Sequence, residues 1–184
     1  MLLAVRPHCA GGLIGWEAWM FSYYQITVPV YERALQQLDH LLDKAVEYAA
    51  LKQVSDETML GLRLAPDMLP FVKQIQIVCD TTKFAVARLS GTTAPKHEDQ
   101  EKTFAELKQR IAATREFIAS VPESAFAAAA EKTIQLSFLP NPMSAPVYVQ
   151  QFVAPNLYFH LTTAYALLRS NGVNVGKADF LGPV

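Results

Sequence analysis

Apolar positions recur every three or four residues in three long stretches of the chain, and this spacing predicts amphipathic helices. The first helix opens near Pro29, and its apolar stripe is Tyr31, Ala34, Leu35, Leu38, Leu41, Leu42, Ala45 and Ala49. The second is bounded by Pro70 and Gly91, and its inner stripe is Phe71, Ile75, Val78, Thr82, Ala85 and Leu89. The third covers residues 101–121, with an inner stripe of Phe104, Leu107, Ile111, Thr114 and Ile118.

A fourth and last long helix is predicted over residues 154–173. Pro155 suits its first turn, where the missing N–H costs nothing, and Asn171-Gly172 suits its end. At about 100° per residue, one face carries His160, and within roughly 60° of it lie Asn156, Leu157, Thr163, Ala164 and Leu167. We therefore expect His160 to point inward, toward a core or a pocket.

The segment before the last helix has a different pattern. Residues 133–138 alternate, a Pro-Asn-Pro turn follows at 140–142, and residues 146–152 include two valines. This predicts a small hairpin or irregular crossover. Four helices with such a crossover define an all-α fold, an up-and-down four-helix bundle.

Composition narrows the function. The chain has 184 residues, 51% of them hydrophobic and 18% charged, and a formal net charge of −1. One domain with a proper core is expected, with no electrostatic footprint for nucleic acid or an anionic membrane. No apolar run approaches the ~18 residues of a membrane span. Residues 1–19 are oddly composed, and we expect them to be a non-native or disordered extension, with the bundle domain over residues 20–184.

The chain has two cysteines, Cys9 and Cys79, without a short spacing between them. This argues against a disulfide scaffold or a structural zinc site and indicates a reducing cytoplasm. Cys79 flanks the apolar side of the second helix and is expected to be an inert small hydrophobe.

A site is predicted between the second and fourth helices. If the helices simply alternate in direction, these two run parallel and begin at the same end of the bundle. Gln74 and His160 would then lie at similar depth, with Asp67 and Asn156 nearer the rim. The pattern predicts a small polar pocket that binds a small molecule.

Each of these residues also has a purely structural interpretation. His160 can be a core histidine bonded to a neighbour, and Asp67 can cap the second helix. Gln74 and Asn156 can bond each other or the backbone.

This set lacks residues that a complete metal site or a complete catalytic site would need. His160 and Asp67 are credible ligands for zinc, nickel or iron, but a catalytic zinc site needs three protein ligands, so only weak binding is expected. The residues one turn from His160, Asn156 and Ala164, supply no second histidine. An aspartate that orients a histidine is half of a general-base pair, and no nearby Ser or Cys is an evident nucleophile.

Other polar side chains are expected at the surface. Lys73, Asp80 and Lys83 should point outward from the second helix, while His40 and His97 should be solvated. On the far face of the last helix, Tyr158, Tyr165 and Arg169 either pack beneath another helix or form a subunit interface.

Five blocks of the sequence also resemble, in order, a bacterial family of proteins of unknown function, the domain of unknown function numbered nineteen ninety-three. They are MFSYYQITVPVY, LDKA, RLAPDMLPFVKQIQIVCD, PNLYFHLTTAYALLRSNGV and GKADFLG, which span residues 20–182. That family looks like a branch of the DinB/YfiT-like superfamily of metalloenzymes, which are four-helix bundles and often dimers.

The resemblance implies a place for a site. The superfamily typically holds a divalent metal with one histidine on the second helix and an HxxxH pair on the fourth. Some members are thiol-dependent transferases or isomerases that use mycothiol, bacillithiol or glutathione. Only His160 matches a ligand by position; Asn156 or Ala164 replaces its pair, and Gln74 or Asp67 replaces the histidine of the second helix.

Three functions follow as hypotheses. The first is a DinB-like bundle that binds a small ligand, or weakly a metal, in the polar pocket. The second is a metal-dependent thiol transferase or hydrolase that uses His160 with Asp67 and water. The third is a non-catalytic stress or interaction protein that acts as a homodimer.

Overall fold

The structure is a computed structural model that describes residues 21–183. The extension predicted over residues 1–19 lies outside this part of the chain and stays a prediction. The four long helices are α1 Val28–Lys52, α3 Phe71–Ser90, α4 Phe104–Ser120 and α6 Ala154–Ser170. The shorter elements are α2 Asp56–Leu60, 3₁₀ turns Glu123–Phe126 and Ala129–Glu131, β1 Thr133–Ile134, β2 Met143–Ser144, α5 Ala145–Val147, a π-helical segment Tyr148–Val153, and α7 Lys177–Leu181. The predicted all-α four-helix bundle is confirmed.

The core consists of the stripes that the apolar spacing predicts. Every predicted inward residue of α1, α3 and α4 is buried, and the largest of them, such as Leu35 and Phe71, have no exposed surface. On α6, Leu157, Ala164 and Leu167 are fully buried. Helical periodicity therefore set the rotation of all four helices correctly.

The direction of α3 relative to α6 differs from the expectation. Two side-chain bonds join the two helices, Gln74 with His160 and Asn156 with Thr81. A third, between Arg88 and Tyr148, joins α3 to the π segment before α6. Along α3 the bonded residues run from 74 to 88, while their partners run backward from 160 to 148. The two helices are therefore antiparallel. The parallel arrangement expected from simple alternation is not found.

Contacts of α1 give the remaining directions. Glu32 pairs with Arg115, and Asp39 with Lys108, so α1 and α4 are antiparallel. Tyr48 near the end of α1 donates to the carbonyl of Asn171 just after α6, so these helices end together. The long helices therefore run up, down, down and up. This order requires residues 91–103 to run back along the bundle, because α3 and α4 point the same way.

The crossover before α6 is only partly as predicted. The structure has a short hairpin with two residues in each strand, in which Thr133 pairs with Ser144 and Ile134 with Met143. The expected second strand over residues 146–152 is wrong, because Ala145–Val153 is helical and continues into α6. Its Ala145, Val149 and Val153 are buried at a helical spacing of four.

Pro155 explains the wider π turn. Since α6 is continuous with the preceding segment, Pro155 lies within a helix and cannot donate a backbone hydrogen bond. The π segment Tyr148–Val153 comes immediately before it. A local widening of the helix accommodates a residue that lacks an N–H.

The C-terminal residues fold back onto α1. Phe180 packs edge-on against Tyr165 with ring centroids 5.9 Å apart, which holds these residues against the bundle. His40 was expected to be solvated, but its Nε2 lies 2.7 Å from Asp179 Oδ1 and its side chain is 42% exposed. Arg33 Nη2 donates to the carbonyl oxygens of Leu181 at 2.6 Å and Pro183 at 3.0 Å. Within residues 21–183, no helix has both the length and the apolar character to cross a bilayer.

Candidate functional site

His160 and Gln74 meet in the interface between α6 and α3. The Nδ1 atom of His160 lies 2.7 Å from Oε1 of Gln74. His160 is 9% exposed and Gln74 is 1% exposed. The sequence therefore predicted that these two side chains lie together, although α3 and α6 run antiparallel. Gln74 is in the first turn of α3.

The backbone before α3 fixes the orientation of the Gln74 amide. Its Nε2 donates to the carbonyl oxygen of Leu69 at 2.8 Å, which leaves Oε1 to face the imidazole. A carbonyl-type oxygen only accepts, so His160 Nδ1 must carry the proton. In the neutral ring, Nε2 is then the unprotonated nitrogen, with a lone pair.

The surroundings keep His160 neutral. Burial lowers the pKa of His160 from its ordinary value, because a charged imidazolium loses solvation there. The ring of Phe159 packs edge-on against it with centroids 5.1 Å apart. Among residues 21–183, Nε2 has no hydrogen-bond partner. The site thus presents one oriented basic nitrogen beside an exposed aromatic ring.

Asn156 lies one turn before His160 on the same helix, but it does not join that pair. Its Nδ2 donates to Thr81 Oγ1 at 2.7 Å. Asn156 is half-buried and Thr81 is buried. The amide therefore ties α6 to α3 one level below the His160–Gln74 pair.

Asp67 takes no part in the cluster. It is exposed and lies in the turn over residues 66–68, whereas α3 begins at Phe71 with Pro70 as its N-cap residue. The expectation that Asp67 caps this helix is wrong. The physical reason is that the chain stays extended at Pro70, with ψ of 168°, which ends the turn before the helix starts.

The donor atoms do not fit the three-histidine metal site implied by the resemblance. In the described part of the chain, no three His, Cys, Asp or Glu side chains come close enough to hold a metal. His160 offers one strong ligand atom, the Gln74 oxygen is used by Nδ1, and the Asn156 amide oxygen would be only a weak ligand. No reaction step through a metal is supported by this arrangement.

A second polar cluster was missed by the sequence. Arg110 on α4 is 4% exposed and lies 2.7 Å from carboxylate oxygens of both Asp80 and Asp99 and 2.9 Å from Glu101. Lys83 was expected to point outward but is 1% exposed and contacts Asp80 at 2.8 Å. The signal for Arg110 was present, since it falls between Leu107 and Thr114 on the apolar face of its helix.

This cluster fastens the long crossover. Asp99 and Glu101 belong to residues 91–103, and His97 Nδ1 from the same segment lies 3.0 Å from Lys83 Nζ. His97 was expected to be solvated but is half-buried; burial and the charge of Lys83 lower its pKa. Burial acts to lower the pKa of Arg110, but the hydrogen bond that it donates to Glu101 and the negative charge of Asp80 raise it.

Cys79 lies beneath this cluster. It is fully buried, and burial raises the pKa of its thiol to about 12. A thiol with so high a pKa is almost entirely protonated at neutral pH and is a poor nucleophile. This agrees with the inert role expected for Cys79.

The four-helix bundle with His160 between α3 and α6 is of the DinB-like class, without the three histidines of its typical metal site. Comparison with known proteins gives the family. Residues 23–181 match the family described as domain of unknown function (DUF1993), and the chain belongs to it. A DinB family member protein from Shewanella denitrificans has 43% sequence identity, and its crystal structure superposes with a TM-score of 0.84 over 88% of this chain and 92% of that one. No curated protein matches the sequence.

Proposed function

We propose that this DinB-like protein binds a small molecule at the His160–Gln74 pair. The ligand donates a hydrogen bond to His160 Nε2, the nitrogen that the tautomer leaves unprotonated. The fixed orientation of this imidazole is the observation that carries the proposal. Leu69, Gln74 and His160 form a chain of hydrogen bonds that ends at that lone pair.

Weak binding of a divalent zinc, nickel or iron ion is the second part of the proposal. A histidine whose other ring nitrogen donates to an oxygen acceptor is oriented as metal-ligating histidines are. With one strong protein donor, water molecules would complete the coordination shell. Affinity should therefore be low compared with a three-ligand site.

The enzyme alternative, a metal-dependent thiol transferase or hydrolase, has less support. It assigns Asp67 to His160 as partner, and Asp67 is exposed in a turn ahead of α3. The buried thiol of Cys79 is a poor nucleophile because of its raised pKa. Binding without turnover is the simpler function for these residues, and a cytoplasmic location belongs to the same proposal.

The interaction alternative rests on neighbouring exposed aromatic residues. Tyr158 is 45% exposed and Phe159 is 55% exposed on α6. Tyr165 instead packs on Phe180 within the chain, which leaves it little surface for a partner. If the protein is a homodimer through this face, Phe159→Asp should halve the mass measured by light scattering, while Glu116→Ala, at an exposed position of α4, should leave it unchanged.

Carbethoxylation by diethyl pyrocarbonate tests the ligand site, because the reagent attacks unprotonated imidazole nitrogens that a small molecule can reach. After brief treatment near neutral pH, peptide mass spectrometry should find His160 modified. Excess Zn²⁺ should slow that modification and leave the rate at His97 unchanged. If His40 and His97 react while His160 stays intact, His160 is only a core histidine and the proposal is wrong.

A further inference from the structure

A cavity of about 260 Å³ lies on the opposite side of α6 from the His160 site. It lies between α1, α6 and α7 and is partly open to solvent, and its lining includes Arg33, Ala34, Gln37, Tyr158, Leu161 and Phe180. Because α7 packs over α1, this cavity is roofed by the C-terminal residues of the chain. Most of its lining is aliphatic or aromatic, so burial of an apolar molecule there is favourable.

Gln37 is the first sign that the cavity receives a polar group. Its side chain lines the cavity, and the residue is 8% exposed. Its amide has no hydrogen-bond partner among residues 21–183 but keeps some accessible surface, so a bound molecule can reach it. A ligand oxygen or N–H at this position would supply the missing partner.

Gly182 closes the chain tightly over that amide. It adopts a φ of +70°, and a Cβ atom at this position would lie 2.3 Å from Gln37 Nε2. The left-handed backbone and the lack of a side chain both favour glycine here. The backbone at Gly182 therefore packs directly against the Gln37 amide and limits the positions that this amide can take beside the cavity.

Arg33 is the second indication that the cavity binds a ligand, and its positive charge favours a ligand with a negative charge. It is the one charged side chain among the described residues that line this cavity. Its Nη2 is engaged by the carbonyl oxygens of Leu181 and Pro183, which hold the guanidinium at the rim. Its other N–H groups have no acceptor among residues 21–183, and a carboxylate suits such a fork of donors.

We propose that this cavity binds a small monocarboxylate with an apolar body, the carboxylate facing Arg33 and Gln37 and the body lying against Leu161 and Phe180. The volume is slightly below the ~300 Å³ at which typical ligand pockets begin, so the ligand is small. The acidic Asp179 lies outside this lining and is paired with His40. The site is independent of His160, whose imidazole faces α3.

Octanoate is the probe that tests the proposal, with octan-1-ol as the uncharged control of equal chain length. In ¹H–¹⁵N spectra of the full chain, octanoate should shift the Gln37 side-chain amide saturably, and octan-1-ol should bind at least about tenfold more weakly, a difference of about 1.4 kcal/mol. Equal affinities would overturn the assignment of a carboxylate. No saturable shift of the Gln37 amide would overturn the site itself.

Variants separate this cavity from other surfaces. Arg33→Met should weaken octanoate binding by about tenfold or more, whereas Arg169→Met, which removes an exposed arginine elsewhere on α6, should not change it. Ala34→Leu should block the cavity, and its circular dichroism will show whether it folds; Gln37→Leu is the second variant if it does not. His160→Ala should retain binding. Undiminished binding in Ala34→Leu or Gln37→Leu, or loss in His160→Ala, would contradict the proposal.

Discussion

Gln74 accepts a buried 2.7 Å hydrogen bond from His160 across two antiparallel helices, and this bond determines which nitrogen of the imidazole is basic. The Leu69 carbonyl fixes the amide, the amide fixes the tautomer, and the tautomer leaves a lone pair on Nε2. The proposed ligand site depends on this relationship.

His160 should make the protein less stable in mild acid. Burial lowers its pKa in the folded state, whereas the unfolded chain keeps an ordinary value of about 6.5. Between these two values the unfolded state binds more protons, so the free energy of unfolding falls as the pH drops from about 6.5 toward the folded pKa. Urea unfolding at a series of pH values should show a smaller fall for His160→Gln than for the wild type.

His97 provides the comparison for that experiment. Its pKa is also lowered, but its side chain is half-buried in a surface crossover, so His97→Gln should reduce the pH dependence less than His160→Gln. Identical pH profiles for wild type and His160→Gln would mean that this imidazole titrates normally. The neutral state assigned to His160 would then be wrong.

Leu167 should contribute strongly to stability. It is fully buried on α6, and truncation of a core leucine to alanine typically costs about 2–5 kcal/mol through lost burial and a residual cavity. Chemical unfolding of Leu167→Ala measures this directly. Thr162→Ala, at an exposed position of the same helix, should stay within about 0.5 kcal/mol of wild type. A near-neutral Leu167→Ala would mean that α6 is rotated incorrectly.

Arg110 should matter far more than Arg115, although both are in α4 and both form ion pairs. Removal of the buried Arg110 leaves Glu101 without a cationic partner, whereas Asp80 keeps Lys83 and Asp99 keeps Lys73. We therefore expect a cost of about 2–3 kcal/mol, below the ~3–5 kcal/mol typical of a fully buried pair. Arg115 pairs with Glu32 and its side chain is 35% exposed, so Arg115→Ala should cost about 1 kcal/mol or less.

The two arginine variants also differ in where they act. Hydrogen exchange should show faster exchange in residues 91–103 of Arg110→Met, because Asp99 and Glu101 attach that crossover to α3 and α4. Arg115→Ala should leave exchange there unchanged. Similar losses of stability in both variants would show that the buried cluster is not what holds the crossover.

Thr103 should contribute to stability as a helix cap, whereas Asp67 should not. Thr103 Oγ1 accepts from the backbone N–H of Glu106, and Glu106 Oε2 accepts from the backbone N–H of Thr103, which is a capping box. Thr103→Ala should therefore cost about 1 kcal/mol in a urea titration. Asp67 is exposed and caps nothing in the structure, so Asp67→Ala should be neutral within about 0.5 kcal/mol. The reverse order would restore Asp67 as a helix cap.

Local patterns were sufficient for the helices and their inward faces. The spacing of residues such as Leu38, Ile75 and Leu167 sets the rotation of each helix, because burial of an apolar stripe is decided within a few turns. The match over residues 23–181 and the likeness to a DinB family member agree with that fold. His160 was correctly turned inward for the same reason.

Long-range features could not be derived in this way. The order up, down, down, up is set by a crossover over residues 91–103 whose attachment depends on Arg110 and Lys83, and no local pattern states which carboxylates will reach them. Residues 146–152, with their two valines, fit a strand and a helix equally well when only the local sequence is considered. Asp67 has the sequence position of a cap, but the extended backbone at Pro70 separates it from α3.

The protonation of the His160 ring near neutral pH is the most direct test of the central claim. A long-range ¹H–¹⁵N spectrum distinguishes the two ring nitrogens of each histidine by their chemical shifts. We expect His160 to show a protonated Nδ1 and an unprotonated Nε2, and we expect Gln74→Leu to remove this preference. A proton on His160 Nε2, or a charged ring at that pH, would contradict the proposed binding site.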